Sequence, residues 1–398
     1  MQTNPTFVLE LLRRYHHPEK FANCPKDALS QSQIEYLCSV GLGPITYGTY
    51  GQWLEKCGRG QFEICQSADL TTRVIHAQLS NAAVDLVSEL NDSGIQTVLL
   101  KGISTSDEYY DRPHCRVMGD VDFLFEEEET AGVEKAMARL GYVIDDRREA
   151  NLNRAHHHHL PAVRHPETGV VLEAHTGLFR PESLPSRQPV FSRESMWEQT
   201  RPSTYRGHAV RRFSPEFQFV YTIAHWGFDS KWPVNLLSIV DTTHILQEHS
   251  TAMDWPQIAG WMEENDWLAG CVTILLTYLH AIGLVTLPEA IESATERSAK
   301  KLGRRNLKLF HRLIDTFPVG GRDKAGPLRE EWSAQVFWEA LLLPSSRFLR
   351  IPNACIRTIF SNSNRYNPIR MYRRMTEIMG GAGPALSLIH ISEPTRLQ

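Results

Sequence analysis

The chain has 398 residues, of which 42% are hydrophobic and 22% are charged, as in an ordinary globular protein. Its net charge of −4 argues against long nucleic acid as a partner, and no apolar run approaches the roughly 18 to 20 residues of a membrane helix. The N-terminus lacks the basic and apolar regions of a signal peptide, and the seven irregularly spaced cysteines indicate reduced thiols, so we expect a cytoplasmic protein.

The first predicted elements are helical. Residues 1–72 have a helical pattern, with turns at 41–44 and 58–60, and show no catalytic motif. An amphipathic helix follows at 79–90, where apolar residues recur at helical spacing. It leads directly into a short apolar run at 95–100, which predicts a buried β-strand.

A pair of aspartates begins the next predicted strand. Asp120 and Asp122 stand at positions i and i+2, at the start of an apolar run that continues to residue 125. Side chains alternate along a strand, so both carboxylates should point the same way, and two adjacent like charges need compensation. A divalent cation is the commonest source of it, and Mg²⁺ prefers oxygen ligands. The alternative is that both aspartates are solvated at the end of a strand.

A third carboxylate follows in a predicted hairpin. A helix that ends at Gly141 and a strand at 142–144 precede it. The hairpin joins 158–164 to 170–175 through a polar turn, and its second strand carries Glu173. This alternation of helix and strand predicts a small mixed sheet with helices packed on it.

The chain from about residue 186 onward has a helical pattern. Ser214 and Pro215 form a good helix start, with serine as the N-cap and proline in the first turn. Further helices are predicted at 234–248, 256–265, 267–282, 288–303, 307–317 and 330–343.

Short motifs occur in a fixed order along the predicted sheet. They are Leu100-Lys101-Gly102, the segment from Arg116 to Asp122, and Glu173-Ala174-His175. In this order they resemble the family of uncharacterised nucleotidyltransferases within the polymerase-beta-like nucleotidyltransferase superfamily, over about residues 75–285. The resemblance implies an α+β fold, in which a small mixed β-sheet nucleotidyltransferase core is flanked by N-terminal and C-terminal helical regions.

The resemblance also implies a metal-dependent site. Asp120, Asp122 and Glu173 would be the catalytic and metal-binding residues, holding Mg²⁺ or Mn²⁺ together with a nucleoside triphosphate (NTP). Glu173 could also help to remove the proton of the acceptor. Lys101 and Gly102 would bind the triphosphate, because a glycine at a helix N-terminus lets the backbone approach a phosphate. The wider superfamily usually has Gly-Ser at this turn, which leaves the mode of triphosphate binding open.

Other residues are candidates for nucleotide binding, each with a structural alternative. Arg116 could contact a phosphate or form a salt bridge. His175 could orient Glu173, contact the acceptor or pack in the core. His158 would lead the hairpin strand near the site, as part of the histidine tract at 156–159. The tract could instead bind zinc, or the histidines other than His158 could be exposed to solvent.

The predicted organisation divides the chain into five segments. The arginine-rich segment near the C-terminus could meet an anionic partner or a membrane surface, or form a solvated helical face. The last residues resemble a translated sequencing adapter, so we expect the natural sequence to depart from the printed one near residue 385; the alternative is a genuine, poorly ordered tail. The segments are an N-terminal helical region at 1–74, a nucleotidyltransferase catalytic core at 75–185, a helical domain at 186–343, the basic segment at 344–385 and the adapter-like tail at 386–398.

The leading hypothesis is a Mg²⁺-dependent nucleotidyltransferase. It would move a nucleoside monophosphate (NMP) from an NTP to a hydroxyl, phosphate or amine of a small molecule, sugar, peptide or protein. The alternative is a catalytically inactive nucleotide-binding or scaffold protein with the same fold, and a third reading is a transition-metal protein centred on the histidine tract. His225, Trp226 and Asp241 would line the acceptor or base pocket under the first hypothesis, or else pack in the helical core.

Overall fold

The computed structural model describes residues 6–18, 29–57, 59–145, 158–181, 183, 185–228 and 236–316. The helix predicted at 330–343, the segments 344–385 and 386–398, and residues 156–157 of the histidine tract lie outside the described residues.

A mixed β-sheet runs through the described part of the chain. Its strands are β1 (Val98–Leu99), β2 (Val121–Leu124), β3 (Val143–Ile144), β4 (Val163–Arg164), β5 (Val171–His175), β6 (Thr200–Tyr205) and β7 (His208–Phe213). Their order across the sheet is β3-β4-β5-β2-β1-β7-β6. At its centre, β2 pairs with β5 in parallel and with β1 in antiparallel orientation. The predicted mixed sheet is therefore confirmed.

Helices flank the sheet in the described ranges, and none of them is long and apolar enough to cross a membrane. They are α1 (Thr6–His16), α2 (Gln31–Ser39), α3 (Gly43–Cys57), α4 (Arg59–Asp92), α5 (Lys101–Tyr109), α6 (Thr130–Arg139), α7 (Arg193–Glu198), α8 (Pro215–Phe228), α9 (Leu236–His249), α10 (Trp255–Glu264), α11 (Asp266–Ala281), α12 (Glu289–Leu302) and α13 (Arg304–Thr316).

Local signals in the sequence explain where several elements begin and end. The predicted hairpin is confirmed, because β4 and β5 pair in antiparallel orientation. The predicted start of α8 is also confirmed: the Oγ atom of Ser214 accepts a hydrogen bond from the backbone N–H of Phe217 at 3.2 Å. This bond satisfies one of the N–H groups that a helix N-terminus leaves without an intrahelical partner.

The longest helix, α4, has 34 residues and is longer than the sequence pattern indicates. It begins at Arg59, within the turn predicted at 58–60, and continues through the predicted junction between residues 74 and 75. Between Gly60 and its end at Asp92 it contains neither glycine nor proline, so no residue in that stretch interrupts the helix.

The prediction of a purely helical chain after residue 186 is wrong at 200–213. These residues form the hairpin β6–β7, and β7 joins the sheet in parallel with β1. Its turn consists of Arg206 and Gly207, both with positive φ (46° and 90°). Two residues with positive φ form a type I′ turn, which matches the twist of a hairpin. Arg-Gly lacks the Asn-Gly signature that normally identifies such a turn, so the pattern does not reveal it.

The alternation of side chains along the central strands divides the sheet into two faces. Phe123, Leu172 and Ala174 pack with α4 and α6 in one hydrophobic core. Leu124 packs with α8 and the other helices of a second, larger core on the opposite face. Because Asp122 alternates with Phe123, its carboxylate points toward the face that α8 covers.

The turn glycine predicts a difference between two Gly→Ala substitutions. Gly207 and Gly260 both have open space where a Cβ would lie, but only Gly207 has a positive φ, whereas Gly260 lies within α10. We expect Gly207→Ala to lower the free energy of unfolding by about 1–2 kcal/mol, because an L side chain is strained there. Gly260→Ala should raise it by about 0.5–1 kcal/mol. Urea unfolding measures both, and equal effects would contradict the turn geometry.

Two buried histidines predict a loss of stability in acid. Burial lowers the pKa of His16 to about 3 and that of His244 to about 4, and their rings lie 4.7 Å apart. Below pH of about 6.5 the unfolded chain binds protons at these histidines, whereas the folded chain does not. As the pH falls, each histidine therefore lowers the free energy of unfolding by about 1.4 kcal/mol per pH unit, until the pH reaches its pKa in the folded chain. Urea unfolding between pH 7 and 4 should show a shallower slope for His244→Phe. An unchanged slope would contradict this cause.

Candidate active site

Two carboxylates lie directly opposite each other at the centre of the sheet. Asp122 on β2 and Glu173 on β5 are paired residues of the two parallel strands. Residues in register on neighbouring strands point to the same face, so both carboxylates lie on the face that α8 covers. Asp122 is buried and Glu173 is half-buried. The two predicted strands therefore converge as the sequence motifs indicate.

The third predicted carboxylate, Asp120, is half-buried one residue before β2. It lies close enough to Glu173 for its charge to act on that residue. Burial raises the pKa of Glu173, and the charges of Asp122 and then Asp120 raise it further. The charges of Asp122 and Asp120 thus both disfavour the charged form of Glu173.

A lysine and a histidine hold the Asp122 carboxylate. Its Oδ1 atom accepts hydrogen bonds from Nζ of Lys101 at 2.7 Å and from Nε2 of His175 at 2.8 Å. Burial alone would raise the pKa of Asp122, but the Lys101 charge and the His175 hydrogen bond outweigh it and hold that pKa well below its usual range. Asp122 is therefore a buried, charged carboxylate with fixed donors.

The backbone places Lys101 where it can reach Asp122. The N–H of Leu100 donates a hydrogen bond to the Asp122 carbonyl at 3.0 Å, which extends the pairing of β1 and β2. Lys101 follows at once with φ of 43°, in the left-handed region. This conformation is strained for a residue with a side chain, and such strain is concentrated at functional sites.

The structure provides a donor set that fits a divalent metal ion. Among the described residues, Asp122, Glu173 and His175 each offer one ligand atom, and these atoms lie within 4.8 Å of one another. Carboxylate oxygens suit Mg²⁺ and Mn²⁺, whereas imidazole suits later transition metals. Asp120, which the sequence predicts as a ligand, is not part of this group of three.

Gly102 and Arg116 lie close together in a packed region and not in an open turn. A Cβ at Gly102 would lie 2.9 Å from the Met118 Cβ and 3.3 Å from Arg116 Nη1, so close packing explains why glycine stands here. Arg116 donates to both carboxylate oxygens of Asp241, at 2.9–3.2 Å. The hydroxyl of Tyr110 donates to the same carboxylate at 2.7 Å. Binding of phosphate by Gly102 and Arg116 stays a prediction.

The described part of the histidine tract lies beside the site. The rings of His158 and His159 lie 5.3 and 5.4 Å from the ring of His175. Burial, followed by the His175 charge, lowers the pKa of His158 to about 2. His158 is therefore a neutral, half-buried ring. It lies five residues before β4 and not within that strand, although its carbonyl accepts hydrogen bonds from the N–H groups of Thr176 and Gly177, just after β5. Its contact with a nucleotide stays a prediction.

Tyr221 on α8 is a neighbour of the site that the sequence pattern identifies only as a packing residue. Its side chain is buried, and its hydroxyl has no hydrogen-bond partner among the described residues. Burial raises the pKa of Tyr221, and the charges of Lys101 and Asp122 act on it in opposite directions. Of the other helical candidates, His225 has its ring 6.2 Å from that of Tyr221, and Trp226 is fully buried in the larger core.

Comparison with known proteins supports the family resemblance. A family model described as an uncharacterised nucleotidyltransferase matches residues 63–282, which is more than half of the chain. A solved structure, an antigenic nucleotidyltransferase-like protein from Paracoccidioides brasiliensis, is 16% identical with a TM-score of 0.29, over 55% of this chain and 96% of that one. No curated protein gave a significant match.

The buried pair of Arg116 and Asp241 predicts a large loss of stability when one partner is removed. Their side chains are 15% and 5% exposed. Asp241→Asn leaves the guanidinium buried without a counter-charge, so we expect the free energy of unfolding to fall by about 3–5 kcal/mol. Glu89→Gln, which breaks the more exposed pair with Arg139, is the control and should cost about 1 kcal/mol or less. If Asp241→Asn unfolds like the wild type but loses NTP affinity, a structural role for Arg116 is wrong.

Proposed function

Because the chain belongs to the uncharacterised nucleotidyltransferase family, we propose that it is an active, metal-dependent nucleotidyltransferase that moves an NMP group from an NTP to a hydroxyl, phosphate or amine. The observation that carries this proposal is the register of Asp122 and Glu173 on adjacent parallel strands. Their carboxylates meet on one face, with the charge of Asp120 close by. A protein that only bound nucleotide would have no evident need for three interacting carboxylates at one site.

The carboxylates have distinct proposed roles. Asp120 and Asp122, with Glu173, would hold Mg²⁺ or Mn²⁺. Once bound, such ions supply positive charge for the phosphoryl oxygens and for the attacking and leaving oxygens. Glu173 is less buried than Asp122, and it is the residue that we expect to take the proton of the acceptor through a carboxylate oxygen.

The proposed contacts with the triphosphate come from the start of α5. The Lys101 side chain is 24% exposed, so it is partly accessible to a ligand while its ammonium group contacts Asp122. We expect Lys101, together with the adjacent Gly102, to contact the β- or γ-phosphate. Arg116 and His158 remain further candidates, of which Arg116 would have to share its donors with Asp241.

The proposed partners are an NTP and an unknown acceptor. The acceptor can be a small molecule, a sugar, a peptide or a protein, and the chain carries no motif that selects among them. The described cysteines Cys38, Cys65, Cys115 and Cys271 are free thiols. Free thiols are typical of a reducing compartment, so we propose that the protein acts in the cytoplasm.

The test of the proposed function is turnover by carboxylate variants. The purified protein is incubated with each labelled NTP, Mg²⁺ or Mn²⁺ and a cell extract as the source of acceptor, and pyrophosphate release and labelled products are measured. We expect Asp120→Asn, Asp122→Asn and Glu173→Gln each to lower the rate by more than roughly 100-fold. That is the largest loss expected for a residue that only contacts a metal ligand. Chelation of divalent ions should have the same effect. Asp92→Asn, at an exposed end of α4, is the control and should retain the wild-type rate.

Other outcomes would contradict the proposal. If NTP binds but no product forms, and Asp122→Asn binds as well as the wild type, the inactive nucleotide-binding or scaffold protein is the better account. If no NTP raises the unfolding temperature in the presence of Mg²⁺ or Mn²⁺, nucleotide binding itself is wrong.

A further inference from the structure

The two oxygens of the Asp122 carboxylate have different surroundings. Oδ1 accepts hydrogen bonds from Lys101 and His175, whereas Oδ2 accepts none from the described residues. Asp122 is only 4% exposed, yet its Oδ2 atom is not one of the fully buried polar atoms that lack a hydrogen-bond partner. Oδ2 therefore keeps some solvent-accessible surface, and it lies on the same face of the sheet as the Glu173 carboxylate.

His175 is fixed more rigidly than the other donor to Asp122. It is 1% exposed, and its backbone carbonyl accepts a hydrogen bond from the N–H of Phe125 at 3.0 Å, next to the paired strands β2 and β5. Its ring packs against those of His158 and His159, at 5.3 and 5.4 Å. Because neighbouring rings and the sheet surround it, the imidazole keeps Nε2 directed at Asp122, whereas the lysine side chain has several rotatable bonds.

The two ring nitrogens of His175 indicate which one carries the proton. Nε2 lies 2.8 Å from a charged carboxylate oxygen, so it carries hydrogen and donates. Nδ1 is buried and has no partner among the described residues. A histidine that binds a metal through Nε2 would carry its hydrogen on Nδ1, where it normally donates to a carboxylate, a carbonyl or water. A buried N–H without an acceptor is costly, so the surroundings favour the donor over the metal ligand.

We infer that His175 is a positioning residue, which orients the Asp122 carboxylate through Oδ1 so that Oδ2 is presented to the divalent ion. This inference rests on the proposed function, and it differs from the reading in which His175 is itself a metal ligand. Lys101 shares Oδ1, and its charge keeps Asp122 ionised. A divalent ion would then be bound by carboxylate oxygens, and the imidazole would contact the Asp122 carboxylate rather than the ion.

The experiment uses Mn²⁺ as the probe, on the full-length protein with and without ATP. Affinity is measured by electron paramagnetic resonance of free Mn²⁺, and pulsed spectra of the bound ion report directly coordinated nitrogen. His175→Leu removes the donor, and we expect Mn²⁺ affinity to fall about 10- to 100-fold. His175→Gln restores an N–H group near the position of Nε2 and should recover most of that loss. His208→Gln, on β7, is the control and should bind as the wild type does.

Three results would overturn the inference. A coupling from directly bound imidazole nitrogen that disappears in His175→Leu would make His175 a ligand. Wild-type affinity in a folded His175→Leu, verified by its circular dichroism, would mean that Asp122 needs no orientation by this ring. Failure of the glutamine variant to recover affinity, when its unfolding temperature equals that of the wild type, would contradict the hydrogen-bond mechanism.

The proposed function fails in a separate way. If the wild-type protein binds no Mn²⁺, or binds Mn²⁺ equally well after Asp122→Asn, the metal site is absent and both accounts are wrong. If Asp122→Asn abolishes binding while His175→Leu leaves it intact, the metal site stands and only the role of His175 is wrong.

Discussion

The buried ion pair between Lys101 and Asp122 is the interaction on which the site depends. A charged carboxylate at the centre of a sheet is costly to bury, and the ammonium group at 2.7 Å offsets much of that cost. The pair also connects the start of α5 to the central strand, because Lys101 is the first residue of α5 and Asp122 lies within β2. Left-handed backbone at Lys101 is the local strain that accompanies this placement.

The same strands build a core on one side and a polar site on the other. Phe123, Leu172 and Ala174 pack against α4 and α6. The intervening Asp122, Glu173 and His175 point to the opposite face, where Tyr221 of α8 approaches. A one-residue slip between β2 and β5 would exchange these faces, so hydrophobic packing fixes the register that brings the carboxylates together. Fold stability and site geometry are thus determined by the same pairing.

Local motifs were sufficient to predict the centre of the sheet but not its edge. The apolar runs around Asp122 and Glu173 have strand periodicity, and the order of the motifs indicates a shared sheet. The sequence pattern does not reveal the hairpin at 200–213, because its turn lacks the usual residues and its strands carry many polar side chains. The partners of Arg116 and Asp122 are 125 residues and 21 or 53 residues away in sequence, and no local pattern specifies such pairs. For the same reason Tyr221 could be recognised only as one residue of an amphipathic helix.

The most direct test of the account is the location of Mn²⁺ by anomalous X-ray scattering, in crystals of the full-length protein grown with a non-hydrolysable NTP. We predict an anomalous peak for a Mn²⁺ ion that is bound by Oδ2 of Asp122 and by carboxylate oxygens of Asp120 and Glu173. The triphosphate should lie beside this ion, and His175 should still be hydrogen-bonded to Oδ1 of Asp122. A nucleotide bound elsewhere, or an ion bonded to His158 and His159 and not to Asp122, would contradict it.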